Sequence, residues 1–182
     1  VRTLARHASE AGTPDTPDTR EALRLRVLDL IGCACAGYRI GTWRGVARAL
    51  DAPGPARSWF EGAGRSTADA LRVNVFMSHA AYMEGGSRST GGHPSCVVTP
   101  TALTVAGGLR SRMPAPGDLL AAVASGYDVF LRVGERAYPA IVERGFQSTA
   151  VLAPIASAAA VARLLRLTET ETMHALAIAA SL

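Results

Sequence analysis

The chain has 182 residues, 48% hydrophobic and 19% charged, which suits one globular domain able to bury a substantial core. Its formal net charge of +4 comes from 19 basic residues against 15 acidic ones, every basic residue is an arginine, and these are spread along the chain without interleaved aromatics, which argues against nucleic acid as a partner. No uncharged apolar run approaches the ~20 residues of a membrane span, and the first eleven residues, carrying Arg2, Arg6, His7 and Glu10, lack the apolar stretch of a secretory signal, so the expected address is cytoplasmic.

Pro17 stops an earlier helix from running through, and Asp18 with Glu21 three residues on has the form of a capping box, which predicts a helix with Asp18 as N-cap. Leu23, Val27, Leu28, Ile31 and Cys35 recur at helical steps as its predicted buried face, and Gly37 is the expected terminator. A shorter helix over about residues 42–50 follows. Ser58-Trp59-Phe60-Glu61-Gly62, bounded by turn residues on both sides, is the stretch with strand character. The fold class is therefore mainly α: a multi-helix bundle, one helical domain over residues 1–182, with at most a short β-hairpin near residues 58–62.

Helical patterning resumes at Ser66-Thr67 and runs to about Met83, with Leu71, Val75, His79 and Met83 four residues apart. Residues 85–92 form a glycine-rich break. Thr99 as N-cap with Pro100 at the first helical position predicts a helix to about Leu109, and Pro116-Gly117-Asp118 opens a longer one to about Tyr138, where Pro139 interrupts it. An alanine-rich helix over 148–167 carries Val151, Ile155, Val161 and Leu165. Thr168 and Glu171 then form a second capping box, launching 173–182. That last segment is apolar almost all round and needs a cover, from another copy, another polypeptide or further chain. Cys33, Cys35 and Cys96 make no disulfide framework and lack zinc-finger spacing; they read as small buried apolar residues, with a reactive thiol as the alternative at Cys96.

Four stretches in order carry a likeness to a known family: residues 26–38, with Asp29-Leu30-Ile31-Gly32; residues 74–84, with Ser78-His79-Ala80; Gly92-His93-Pro94-Ser95 with Val97-Val98-Thr99-Pro100; and Ala124-Ser125-Gly126-Tyr127-Asp128-Val129 with Gly145-Phe146-Gln147-Ser148-Thr149. In these the chain resembles the N-terminal helical half of MmgE/PrpD proteins, the 2-methylcitrate dehydratase-like lyases. The resemblance implies a lyase without metal or organic cofactor, acting on a small carboxylic acid by dehydration, decarboxylation or isomerisation. It also implies a C-terminal α/β domain that these 182 residues do not contain, so a homo- or hetero-oligomer, with a separate chain supplying that half, is expected. The family's acidic run falls on Tyr82-Met83-Glu84-Gly85-Gly86, where one carboxylate remains. Its second histidine reads Gln147.

Taking water or carbon dioxide from such an acid needs a proton carrier and donors for the carboxylates. His93 and Glu84 are the candidate catalytic pair, because imidazole titrates near neutrality and Glu84 is the remaining acid. Arg88, Tyr82, Gln147 and Ser95 are the candidate substrate-binding residues; Gln147 positions but does not shuttle protons at neutral pH. His79 reads as a hydrogen-bonded packing residue. The departures from the family pattern favour a changed substrate over 2-methylcitrate. A non-catalytic helical partner subunit of a full-length homologue is the alternative. The catalytic reading requires the glycine-rich segment and the Gln147 turn to converge, with the His93 imidazole facing a cavity.

Overall fold

The structure, a computed structural model, describes residues 1–10, 16–109 and 112–181, apart from the side chain of Glu10. Among the described residues it holds nine α-helices and one two-stranded antiparallel sheet: α1 (Arg2–Glu10), α2 (Pro17–Ile40), α3 (Trp43–Ala49), β1 (Ala56–Arg57), β2 (Gly64–Arg65), α4 (Thr67–Ala80), α5 (Ser95–Gly108), α6 (Pro116–Ala137), α7 (Ala140–Glu143), α8 (Ser148–Leu164) and α9 (Glu169–Ala179). The mainly α class is as expected; Leu182, the expected end of the last helix, lies outside the described residues. No helix among those described is long and apolar enough to cross a membrane.

Several local expectations shift by a few residues, each for a physical reason. The N-cap of α2 is Thr16, whose hydroxyl accepts from the Thr19 amide, and Pro17 occupies the first turn, where its missing N–H costs nothing. The helix passes Gly37 and stops at Gly41, which takes the left-handed φ of 84° and returns its amide to the Gly37 carbonyl. Its buried face is Leu23, Leu30, Cys33, Ala34 and Gly37, whereas Leu28, Ile31 and Cys35 are exposed. Gly37 is a contact residue: a Cβ built there would sit 1.9 Å from the Met77 carbonyl oxygen, so α2 crosses α4 nearly backbone to backbone. Residues 58–62 are the turn of the hairpin and its strands flank them; Phe60 has φ 61° and the Gly62 amide donates to the Ser58 carbonyl at 2.9 Å.

α4 ends at Ala80, and Met83, expected on its buried face, is 71% exposed. α5 starts at Ser95, four residues before Thr99, and carries Pro100 inside it. An internal proline forfeits one helical hydrogen bond. Burial of almost the whole first half of α5, from Ser95 to Ala102, offsets that loss. α8 buries Leu152, Ala156, Ala159, Ala160 and Leu164, leaving Val151 and Leu165 exposed. The Thr168–Glu171 capping box forms as expected. α1 was not anticipated in the sequence: Ala5 and Ala8 are buried against Leu176 of α9, Val129 of α6 and Ala159 of α8.

The main core lies where α5, α6 and α8 meet, around Val98, Val123, Phe130, Leu152, Ala156 and Ala160, with Leu23 and Leu30 of α2 closing one side. Small residues let these helices approach closely. A second cluster, Trp43, Ala47, Val73 and Met77, seats α3 on α4. Buried Asn74 fastens the hairpin, accepting from the Trp59 amide at 2.8 Å and donating to the Arg57 carbonyl and the Thr104 hydroxyl.

The α2–α4 crossing yields a paired expectation. Gly37→Ala forces the helices apart and costs about 1–3 kcal/mol or more, as overpacking does, whereas Gly32→Ala, with nothing within 4 Å of the added carbon, gains up to about 1 kcal/mol of helix propensity. Thermal unfolding of the two variants checks this: Tm falls for the first and rises or holds for the second.

Candidate functional site

The C-terminal end of α4, the turn after it and the first turn of α5 bring four reactive side chains together. α4 ends at Ala80, and Tyr82 takes a positive φ of 53° that turns the chain back on itself. This reversal returns Glu84 beneath the helix end, where its side chain is fully buried and Nδ1 of His79 and Oε1 of Glu84 form a hydrogen bond. Residues 87–92 then make a small turn closed by the Ser87 amide donating to the Gly92 carbonyl at 2.8 Å. It delivers His93, with Nδ1 3.3 Å from the same Glu84 Oε1. Two imidazoles thus flank one buried carboxylate. The rings of His79, Tyr82 and His93 pack mutually, with centroids 4.9 to 5.4 Å apart.

Cys96, in the first turn of α5, lies on the inner side of this group and donates its thiol to the His93 carbonyl at 3.3 Å. Burial, reinforced by the nearby Glu84 carboxylate, pushes that thiol up to about 12. A thiol held so far above neutrality is protonated and a poor nucleophile. Burial also raises the Cys33 thiol, with the Asp29 charge second in effect.

Both expected catalytic residues, His93 and Glu84, are brought together. Tyr82 is 64% exposed and shields the two imidazoles as a rim residue. Ser95 is buried at the start of α5 with no hydrogen-bond partner on its hydroxyl. Arg88 stands in the exposed turn, and among the described residues no ion pair joins it to Glu84.

Gln147 is the N-cap of α8: its Oε1 accepts from the Ala150 amide at 2.8 Å and its Nε2 donates to the Thr149 hydroxyl at 3.1 Å. The same hydroxyl accepts from the His93 backbone amide at 2.8 Å. The glycine-rich segment and the Gln147 turn therefore do converge, with Thr149 as the bridge, but the amide touches the backbone support of His93 and not its ring. Neither of two grooves along the described residues is lined by His93. A groove of about 810 Å³ lies between α1 and α6, and another of about 760 Å³, lined by Val46, Leu71, Phe76, Val97 and Pro154, reaches the site only at His79. The imidazole of His93, 20% exposed, sits at an open rim.

Cys96, read from the sequence as a small buried residue with a reactive thiol as the alternative, is a neighbour of Glu84. Sequence reasoning missed two participants. His79 is a direct partner of Glu84 and not only a packing residue. The other is Arg26 of α2, whose guanidinium lies over the Tyr127 ring, 5.9 Å from its centroid, and would be 3.7 Å from a Cβ on Gly85. The Tyr127 phenol is pushed up mainly by burial, which the nearby Ser95 and Thr99 hydroxyls and the Arg26 charge counter in part. Positions 79, 84 and 96 bear the signal, but only the reversal at Tyr82 makes it readable.

The model of one protein family, described as the MmgE/PrpD N-terminal domain, matches residues 2–182. No curated protein matches the chain at a significant level.

The thiol environments predict selective alkylation. Treated with iodoacetamide at pH 8 under native conditions, Cys35, which is exposed, is modified while Cys96 stays free until the protein is unfolded; peptide mass spectrometry reads the sites.

Proposed function

Since the chain belongs to the MmgE/PrpD family through its N-terminal domain, we propose that it serves a dehydratase-type lyase acting on a small carboxylic acid, with His93 and Glu84 as the acid–base pair. The observation that carries this reading is the buried Glu84 carboxylate with the His93 imidazole against it at an open rim. In a dehydration a base takes the proton from a carbon beside the carboxylate, the released pair forms the C=C bond, and the hydroxyl leaves as water once an acid protonates it. One imidazole beside a carboxylate serves both transfers, taking the proton from carbon and giving it to the leaving hydroxyl.

Around this pair, Ser95 and Tyr82 offer hydroxyls, and Arg88 offers a guanidinium suited to a carboxylate when a ligand orders its turn. Gln147 acts as a positioning residue through Thr149. The changed residues at 85, 86 and 147 support a substrate other than 2-methylcitrate. Tyr82 and Met83, both more than half exposed at this rim, support completion of the site by a partner chain or a second copy.

A second reading, a non-catalytic helical partner subunit of a full-length homologue, is favoured by the exposed Leu25, Leu28 and Ile178 on α2 and α9. Large apolar side chains left in water are commonest where another surface covers them.

The chain, alone and with the product of any adjoining reading frame, is to be assayed on tricarboxylates and a panel of hydroxy acids. The lyase reading expects formation of an unsaturated acid, lowered about 10²–10⁴-fold by His93→Ala and less than about tenfold by Gln147→Ala. No turnover in any arrangement, or turnover untouched by His93→Ala, rejects it. Co-elution with a full-length homologue in size-exclusion chromatography, without turnover of its own, carries the second reading; a lone monomer rejects that one.

A further inference from the structure

We propose that His79, Glu84 and Cys96 form a binding site for a divalent transition-metal ion of borderline softness, zinc foremost. A ring nitrogen of His79, a carboxylate oxygen of Glu84 and Sγ of Cys96 all lie within 4.8 Å of one another. A tetrahedral zinc ion, with bonds of about 2.0 Å to nitrogen or oxygen and about 2.3 Å to one sulfur, needs its ligand atoms about 3.3–3.5 Å apart. Rotations of the three side chains close that difference: the His79–Glu84 contact opens and the thiol moves in. All three come from one junction, that of α4, its following turn and α5.

A second observation points to a ligand independently. The Glu84 side chain is fully buried, and its Oε2 has no hydrogen-bond partner. A carboxylate oxygen removed from water and left unpaired is costly, and a cation is the group that satisfies it. Nδ1 of His93, also without a hydrogen-bond partner, lies 3.3 Å from the other Glu84 oxygen. That side of the site, toward the rim, is where a fourth donor or an open coordination position falls. Three protein ligands with one position left open is the arrangement of reactive zinc sites, as opposed to closed structural ones.

The donor chemistry sets the class of ion. One imidazole, one carboxylate and one thiolate disfavour magnesium and calcium, which take oxygen ligands, and favour zinc or cobalt. His79, one-third exposed in its side chain, gives the ion a path from solvent. Binding displaces the Cys96 proton to buffer. The inference departs from the sequence expectation of a metal-free protein, and it stands whether or not the chain turns over an acid.

The test uses the 182-residue chain, stripped with a chelator and titrated with zinc in a calorimeter, with cobalt followed by absorbance and with magnesium as the control. One zinc per chain, a cobalt–thiolate charge-transfer band in the near ultraviolet that zinc displaces, and no magnesium uptake are expected. Cys96→Ser should abolish the band, and Cys96→Ser and His79→Gln should each weaken zinc by at least about 100-fold, more than the loss of an outer-shell partner costs. Cys35→Ser should change neither. Absence of zinc binding, cobalt bound without the thiolate band, or a band surviving Cys96→Ser overturns the proposal. Should Cys96→Ser fail to fold by circular dichroism, the cobalt spectrum of the unaltered chain, compared with Cys35→Ser, decides alone.

Discussion

The arrangement of the site depends on one buried carboxylate. Glu84 has no exposed side-chain surface, and a charge or a proton placed there has to be balanced by neighbours in place of water. Those neighbours fix the local fold. His79 must end α4 on the correct side, the turn between must reverse through Tyr82, and His93 must return to within 3.3 Å. Each requirement constrains a different segment, so a single acid sets the geometry of residues 79–96 more tightly than their glycine-rich composition suggests.

The support beneath His93 comes from elsewhere in the chain. Thr149, in the first turn of α8, accepts a hydrogen bond from the His93 amide and another from Gln147. Its helix packs on α5 and α6 through Leu152, Ala156 and Ala160 in the main core. A ring at an open rim is thereby tied to the main core. The backbone is anchored and the imidazole is left partly accessible, a division suited to a side chain that exchanges protons or ligands with something arriving from outside.

Much of the helical framework was legible because its signals are local. The Thr168–Glu171 box and the Pro116 start are read from a few adjacent residues and recur in the structure. Where the reading failed, a tertiary effect outweighed a local one. Pro100 resembled a first helical residue, but burial of Ser95 to Ala102 extends α5 back past it. Leu28 and Ile31 resembled core, but Gly37 sets the rotation of α2 through its approach to Met77, which turns them outward. Trp59 and Phe60 have strand propensity, yet the positive φ at Phe60 belongs to a turn. The candidate site divided in the same way: His93 and Glu84 were expected from an ordered set of motifs, whereas His79 and Cys96 join them only through a chain reversal that no short pattern encodes.

The open rim bears on what the site can do. Proton transfer between His93 and a substrate gains most when water is excluded and the acid is held in register. Here the imidazole is 20% exposed, and the adjacent Tyr82 and Met83 are 64% and 71% exposed. Large apolar side chains at the lip of a buried polar cluster are poorly suited to contact with water alone, and a covering surface improves both terms at once: it removes apolar area from solvent and lowers the dielectric around the Glu84–His93 pair. The same cover strengthens metal coordination at Glu84 and Cys96 by the same electrostatics. Enclosure, more than the identity of any one residue, is therefore the condition that separates a reactive site from a well-packed helix junction in this fold.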